Sequence, residues 1–161
     1  MRNLLILSFI VVPFALNAQK VTTAFIKYFN ECINIYQQPV GHEVEAKIFQ
    51  DSINETNYYN VLLLEKSPLR FKVRLQAYDS SPYFEGWIDK ECIAVYPRNG
   101  EVLLYTEPTI NSPVQHFKEI TQLLTVIDYE GKWLKVYFII NDKPYCGWIK
   151  EYCPNIYNSC S

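Results

Sequence analysis

The sequence lacks the charge pattern and the short motifs that mark several large classes of protein. Its 161 residues carry 15 Lys+Arg and 17 Asp+Glu, with no block of lysine or arginine. A basic stripe is the electrostatic footprint of binding to nucleic acid or to an anionic membrane surface, so we expect no nucleic-acid partner. No G-x-S-x-G, H-E-x-x-H, P-loop or G-x-G-x-x-G pattern occurs either. These absences remove the commonest signatures of hydrolases and nucleotide-binding enzymes.

Apolar runs are short throughout, and the longest one lies at the N-terminus. Arg2, the apolar stretch from Leu4 to Leu16 and the small residues before Gln19 are typical of a secretory signal peptide over residues 1–18. The stretch is too short to cross a bilayer core, which needs about 20 residues, so we expect no membrane span in the mature chain. The alternative is a buried N-terminal helix or strand. The prediction is an exported protein, periplasmic or extracellular.

The cysteine pattern is unlike that of a metal site. No C-x-x-C spacing occurs, and His42 and His116 lie far apart, so we expect no metal and no cofactor. In an exported chain, cysteines commonly form disulfides that stabilise small domains. The odd count allows two bridges at most, and we favour Cys32–Cys92, with Cys160 joined to Cys153 or Cys146. The disulfide candidates are Cys32, Cys92, Cys146, Cys153 and Cys160.

Catalysis has little support in the residues that remain. A catalytic cysteine needs a thiolate beside an imidazole, and cysteines held in disulfides cannot supply one. Carboxylates two residues apart, such as Asp128 and Glu130, are typical of one solvated face of a strand. We therefore expect no enzymatic activity.

Sustained helical periodicity is also missing, and alternation takes its place. The segment Leu69 to Leu75 alternates strictly, which predicts a strand with Leu69, Phe71, Val73 and Leu75 on one face. Asn30-Glu31 is a plausible hairpin connection between two short apolar runs. Thirteen tyrosines suit both strands and half-exposed binding surfaces. The sequence predicts an all-β fold.

A repeat divides the chain into two halves. Gly86-Trp87-Ile88 returns as Gly147-Trp148-Ile149, and Tyr36-Gln37-Gln38-Pro39 matches Tyr105-Thr106-Glu107-Pro108. We expect these tryptophans and isoleucines in the core or at a domain interface. The first copy is longer, and the extra residues fall mostly at 50–59. The turn at 97–100 is too short for a free linker, so the copies should touch. The predicted domains are 19–96, with an N-terminal extension, and 97–161, with a C-terminal tail.

The order of these motifs resembles that of bacterial SH3-like (SH3b) domains. The second copy, 101–153, matches better through its Tyr/Pro loop, its Trp133-Leu134-Lys135-Val136 strand and its Gly-Trp-Ile triplet. The first copy, 32–95, is degenerate, with Arg70 where the second has Trp133. Cysteines stand at or next to positions where the family often has a tyrosine. The resemblance implies two small SH3-like β-barrels in tandem, packed against each other.

The same resemblance implies a binding function. Family members bind peptidoglycan or peptides, so we expect a cell-wall fragment or envelope protein as the partner, held on an aromatic surface of the second domain. The alternatives are an exported protein-binding partner (an inhibitor, immunity factor or assembly factor) and a purely structural protein. The candidate ligand-binding residues are Tyr105, Glu107, Asp128, Tyr129 and Trp133. Trp133 is as readily read as a core residue.

Overall fold

A computed structural model of the chain describes residues 22–26, 32–49, 59–77 and 84–154. The predicted signal segment 1–18, most of the insertion predicted at 50–59, and Cys160 lie outside these ranges. The described residues form thirteen β-strands and one short 3₁₀ turn, Lys90–Cys92. The strands are β1 Thr22–Ile26, β2 Cys32–Tyr36, β3 Val44–Phe49, β4 Tyr59–Lys66, β5 Arg70–Ala77, β6 Phe84–Asp89, β7 Ile93–Pro97, β8 Val102–Tyr105, β9 Val114–Phe117, β10 Leu124–Glu130, β11 Trp133–Ile140, β12 Lys143–Ile149 and β13 Tyr152–Cys153. The prediction of an all-β fold is confirmed.

Alternation of apolar and polar residues produces these strands. In β11, Leu134, Val136 and Phe138 point into the core, while the residues between them face outward. The alternation predicted in β5 is confirmed for Phe71, Val73 and Leu75, which are all buried. It is wrong for Leu69, which is 67% exposed, because β5 begins at the next residue.

Tight turns join the strands where the sequence offers residues that tolerate positive φ. Asn141 and Asp142 have φ of 50° and 59° and connect β11 directly to β12. Two consecutive positive-φ residues are the mark of a type I′ hairpin turn, whose twist matches that of the flanking strands. Gly131, with φ of 57°, lies in the turn between β10 and β11. These turns close the β10–β11 and β11–β12 hairpins.

The strands form one antiparallel sheet that passes through both halves of the chain. Their order across the sheet is β3-β2-β6-β5-β4-β1-β7-β10-β11-β12-β8-β9, and β13 pairs separately with β7. Among the described residues this sheet is open at β3 and β9. Two tandem barrels, each closed on itself, are therefore not what the structure shows. The buried apolar residues likewise belong to one cluster drawn from both halves.

The sequence repeat reappears as a repeat of strand pairing. Tyr36 lies opposite Trp87 where β2 meets β6, and Tyr105 lies opposite Trp148 where β8 meets β12. Strand β4 pairs with β5 through a register shift between Leu63 and Glu65, and β10 pairs with β11 through the corresponding shift between Val126 and Asp128. Each half therefore contains the same five-strand arrangement, although β2–β3 has a register shift between Ile35 and Tyr36 that β8–β9 lacks.

Strand β7 explains why the halves are continuous. In the first half it pairs with β1, through Phe25–Ala94 and Ile26–Ile93. In the second half β7 takes the position that β1 has in the first. It pairs with β10 on one side, as β1 pairs with β4, and with β13 on the other side, as β1 pairs with β7. The hairpin predicted across Asn30-Glu31 is wrong for the same reason: β1 lies between β4 and β7 and not beside β2.

The Gly-Trp-Ile triplet has one structural role per residue. Ile88 and Ile149 are buried in the core, as predicted. Trp87 and Trp148 are only half-buried because they point to the opposite face of their strands. The glycine allows a close approach between strands: a Cβ at Gly147 would lie 2.8 Å from the carbonyl oxygen of Tyr105 on β8.

The equivalence of the two copies ends after the triplet. The 3₁₀ turn of the first half adds two residues before β7, so Cys153 pairs with Tyr96 as Ala94 pairs with Phe25. Cys153 is thus the counterpart of Ala94 and not of Cys92, although the sequence aligns the two cysteines.

Candidate binding site

Tyr105 and Trp133 form an aromatic pair on the outer face of the second half. Tyr105 ends β8 and Trp133 begins β11. Their ring centroids are 5.2 Å apart and the angle between the ring planes is 83°. This edge-to-face arrangement is favourable because the positive edge of one ring meets the negative face of the other. Both side chains are half-buried. These two predicted site residues are therefore in contact.

A lysine lies next to this aromatic pair. Lys150 directly follows β12, and its Nζ lies 5.7 Å from the centroid of the Trp133 ring, within cation–π range. Among the described residues the Lys150 ammonium has no carboxylate within ion-pair distance. The sequence analysis missed Lys150. Its position directly after the Gly-Trp-Ile triplet is the signal that could have found it.

A groove of about 370 Å³ lies beside Tyr105. Leu103 and Ile110 give it an apolar side, and both are well exposed, Ile110 by 64%. Arg98, Glu101 and Lys150 are among its charged lining residues. A second depression of about 310 Å³ adjoins it and shares Arg98, Lys150 and Glu151. Apolar contact and charge are therefore available within one continuous surface.

Glu107 occupies the loop that bounds this surface. The loop between β8 and β9 is held by its own hydrogen bonds: the Thr106 N–H donates to the Pro113 carbonyl at 3.1 Å, and Ser112 Oγ donates to the Glu107 carbonyl at 3.1 Å. The Glu107 carboxylate is exposed and makes no hydrogen bond or ion pair within the described residues. The structure thus places Glu107 near the groove without giving its carboxylate a role.

Asp128 and Tyr129 lie elsewhere, where the two halves meet. Lys66 at the end of β4 donates to Asp128 Oδ1 at 2.8 Å and to the Tyr129 carbonyl at 3.0 Å. The Tyr129 ring packs against Phe71 of the first half, with centroids 5.7 Å apart. These residues join the halves. The predicted five-residue site is therefore divided between two places.

Electrostatics at this junction follow from partial burial and close charges. Burial raises the pKa of Asp128, but hydrogen bonds from Lys66 and from the Tyr129 N–H outweigh it and hold the pKa below its ordinary value. Burial lowers the pKa of Lys90, with Lys66 adding repulsion against the attraction of Asp128. Burial, with the charges of Glu65 and Asp128, raises the pKa of Tyr129. Asp128 is thus held ionised by the first half.

The first half contains a counterpart of the aromatic pair, and it is closed. Arg70 stands in the register position of Trp133, and its guanidinium carbon lies 3.4 Å from the centroid of the Tyr36 ring. Arg70 is only 6% exposed. It donates to Asp89 Oδ1 at 2.8 Å, to the Gln38 carbonyl at 3.1 Å and to the Gly41 carbonyl at 2.9 Å. The arginine therefore fills the space between Tyr36 and the loop at 37–43.

The cysteines follow the prediction only in part. Cys153 is disulfide-bonded, whereas Cys32 and Cys146 are free thiols. The Cys32–Cys92 bridge is therefore wrong. Cys32 begins β2, opposite Phe49 of β3, while the turn that ends at Cys92 packs against β10. Cys160 lies outside the described residues.

Other functional sites are not visible in the described ranges. No group of three or more His, Cys, Asp or Glu side chains there could hold a metal ion. His116 Nε2 lies 3.4 Å from the Glu101 carboxylate on the outer face of β8 and β9. No described helix is long and apolar enough to span a bilayer.

Comparison with known proteins yields little. No family model matches the chain, and no curated protein matches it. One similar solved structure is that of NlpC2 from Trichomonas vaginalis, with 15% sequence identity and a TM-score of 0.34. The alignment covers 81% of this chain and 46% of that chain, so this chain spans less than half of the other's length. A TM-score this low does not establish a shared fold.

Proposed function

We propose that this chain is an exported, non-catalytic binding protein whose two halves are SH3-like units in tandem. In this proposal the groove of the second half recognises peptidoglycan or a peptide of the cell envelope. The observation that carries it is a groove of about 370 Å³ lined by Tyr105, whose ring is held in place by edge-to-face packing on Trp133. A concave surface with apolar lining and a few polar groups is the usual form of a ligand site.

The chemistry of the groove suits a sugar or peptide ligand. The Tyr105 ring lines the groove, and the exposed Leu103 and Ile110 supply contacts for the apolar faces of a ligand. Aromatic rings gain contact area at low cost in side-chain entropy, and the tyrosine hydroxyl adds a polar end. In the first half Arg70 takes the position of Trp133 and lies buried over the Tyr36 ring. The proposal therefore assigns one binding groove to the chain.

Co-sedimentation with purified sacculi tests the proposal. Trp133→Ala removes the ring that packs on Tyr105, and we expect binding to fall at least tenfold, the loss of roughly 1.4 kcal/mol or more that an aromatic anchor commonly carries. Tyr137→Ala is the matched control, since Tyr137 is an exposed ring on the same face of β11 but, unlike Trp133, does not pack on the groove residue Tyr105. Equal sedimentation of wild type and Trp133→Ala, with both proteins folded by circular dichroism, would reject the groove.

A protein partner is the second candidate, favoured by one observation. Leu103 and Val114 are 41% and 50% exposed on the outer face of the β8–β9 hairpin, and β9 is an edge strand of the sheet. Exposed apolar residues beside an unprotected edge are typical of protein-binding surfaces. Val114→Lys should abolish capture of such a partner from an envelope extract and leave sedimentation with sacculi intact. Loss of sedimentation alone would favour the wall ligand.

A further inference from the structure

The two halves differ in charge at two facing structural positions. In the first half Arg70 is the cation and Asp89, at the end of β6, neutralises it at 2.8 Å. In the second half Trp133 replaces Arg70, and Lys150 follows the triplet as Asp89 does in the first. The acidic Asp89 of the first half therefore corresponds to the basic Lys150 in the second. The arginine that Asp89 neutralises corresponds to the uncharged Trp133.

Lys150 is left without a counter-charge inside the described part of the chain. The two carboxylates that line the same groove lie beyond ion-pair distance of Lys150: Glu151 pairs with Arg98 at 3.6 Å, and Glu101 lies 3.4 Å from His116, a contact that is an ion pair only when the imidazole is protonated. The contact that the structure gives the Lys150 ammonium is the face of Trp133. A cation–π contact leaves most of an ammonium's donors directed away from the ring.

We propose that the ligand of this groove carries a carboxylate, and that Lys150 binds it. The carboxylate would lie beside Trp133, with the rest of the ligand against Tyr105, Leu103 and Ile110. The inference depends on the proposed function, because it names the ligand class of the same groove. Two sources offer this chemistry in a cell wall: the free carboxylates of stem peptides, and the lactyl carboxylate of glycan strands from which the peptides have been removed.

Sacculi whose carboxylates have been amidated test this inference against untreated sacculi. Lys150→Gln should weaken binding to untreated sacculi about tenfold, the effect of one charge-assisted contact. It should leave binding to amidated sacculi at the level that the wild type shows there. Lys143→Gln is the matched control, because Lys143 also lies over an aromatic ring, 5.6 Å from the Tyr145 centroid, but outside the groove. This control should bind as the wild type does.

The outcomes separate the ligand class from the function. If Lys150→Gln binds untreated sacculi as tightly as the wild type while Trp133→Ala does not bind, the carboxylate assignment is wrong and the groove stands. If the wild type itself does not sediment, the wall-binding function fails. Because Trp133→Ala perturbs packing, Trp133→Phe is a second variant that retains a ring and should retain most of the binding.

A final pair of probes identifies the source of the carboxylate. Binding of isolated stem peptides, lost on amidation and weakened by Lys150→Gln, would assign it to the peptide. Binding of amidase-stripped glycan strands with the same two dependences would assign it to the lactyl group. Binding of neither probe would overturn the carboxylate assignment.

Discussion

At the scale of single residues, the sequence predicts the role of the isoleucine in the repeated Gly-Trp-Ile triplet but not the role of its glycine. The recurrence of the triplet indicates that the chain contains two copies of one unit. The burial of Ile88 and Ile149 follows from the alternation of side chains along a strand. Its glycine has a role that composition alone does not reveal. That role depends on which strand passes over it, a long-range property of the fold.

Gly147→Ala should destabilise the protein strongly. The new Cβ would lie 2.7 Å from Leu104 Cγ and 2.8 Å from the Tyr105 carbonyl oxygen, and the backbone of β8 cannot move without disturbing its pairing with β12. We expect a loss of about 3 kcal/mol in the free energy of unfolding, measured by urea denaturation. Gly86→Ala tests the same close approach in the first half: its Cβ would clash with the buried, β-branched Ile35 side chain, with the Tyr36 carbonyl farther away at 3.3 Å, and we expect a loss of similar size. A loss below about 1 kcal/mol for Gly147→Ala would contradict the steric argument.

Tyr152 should make the protein sensitive to alkali. Burial raises the pKa of Tyr152 to about 12. The folded state therefore favours the neutral phenol, and this contribution to stability is complete below the unfolded pKa near 10 and is lost as the pH rises toward 12. Tyr152→Phe should flatten this part of the stability curve, by on the order of 2 kcal/mol between pH 10 and 12. Urea midpoints measured across that range test it, with the exposed Tyr137→Phe as a control that should leave the slope in place.

At the scale of elements, the first half shows how one substitution changes a binding surface into a structural contact. The sequence predicted the equivalence of Arg70 and Trp133, and the pairing of β5 with β6 bears it out. What it did not predict is that the guanidinium would be buried against Tyr36 and the loop at 37–43. That outcome depends on two backbone carbonyls, and backbone acceptors carry no signature in the sequence.

Arg70→Met should loosen this loop. The substitution preserves much of the apolar stem but leaves the Asp89 carboxylate and the carbonyls of Gln38 and Gly41 without their donors. We expect a loss of about 3 kcal/mol in unfolding free energy and faster amide hydrogen exchange at Gln37, whose N–H donates to Glu43. Arg74→Met is the control on the same strand. Its ion pair with Glu85 is exposed, so the change should stay within about 0.5 kcal/mol. Equal losses for the two variants would show that burial of Arg70 is not what matters.

At the scale of the whole molecule, the all-β class could be predicted, but the pairing of the strands could not. Alternation and turn residues act locally, and they located most strands. The position of β1 between β4 and β7, and the pairing of β7 with both halves, depend on residues that lie 29 to 69 positions apart in the sequence. The same limit applies to the candidate site: Tyr105 and Trp133 meet through the strands of their own half, whereas Asp128 and Tyr129 are drawn to Lys66 of the other half.

The two halves should unfold together. Strand β7 pairs with strands of both halves, and the buried apolar side chains form one cluster. With 5-fluorotryptophan incorporated, Trp87 reports on the first half, and Trp133 and Trp148 report on the second. Their folded-state ¹⁹F resonances should lose intensity at one urea midpoint. Val95→Ala, in the buried centre of β7, should lower that midpoint equally for all three, by a loss of about 2 kcal/mol. Separate midpoints for Trp87 and Trp148 would show independent units.

Because β7 pairs with strands of both halves, this architecture could be extended by further units. β13 holds in the second half the place that β7 holds in the first, so a third copy of the unit could dock its β10-like strand there by the same rule. Gene duplication could then add one unit at a time. Each added unit could have a tryptophan at the position of Trp133, as in the second half, or an arginine there, as Arg70 in the first half.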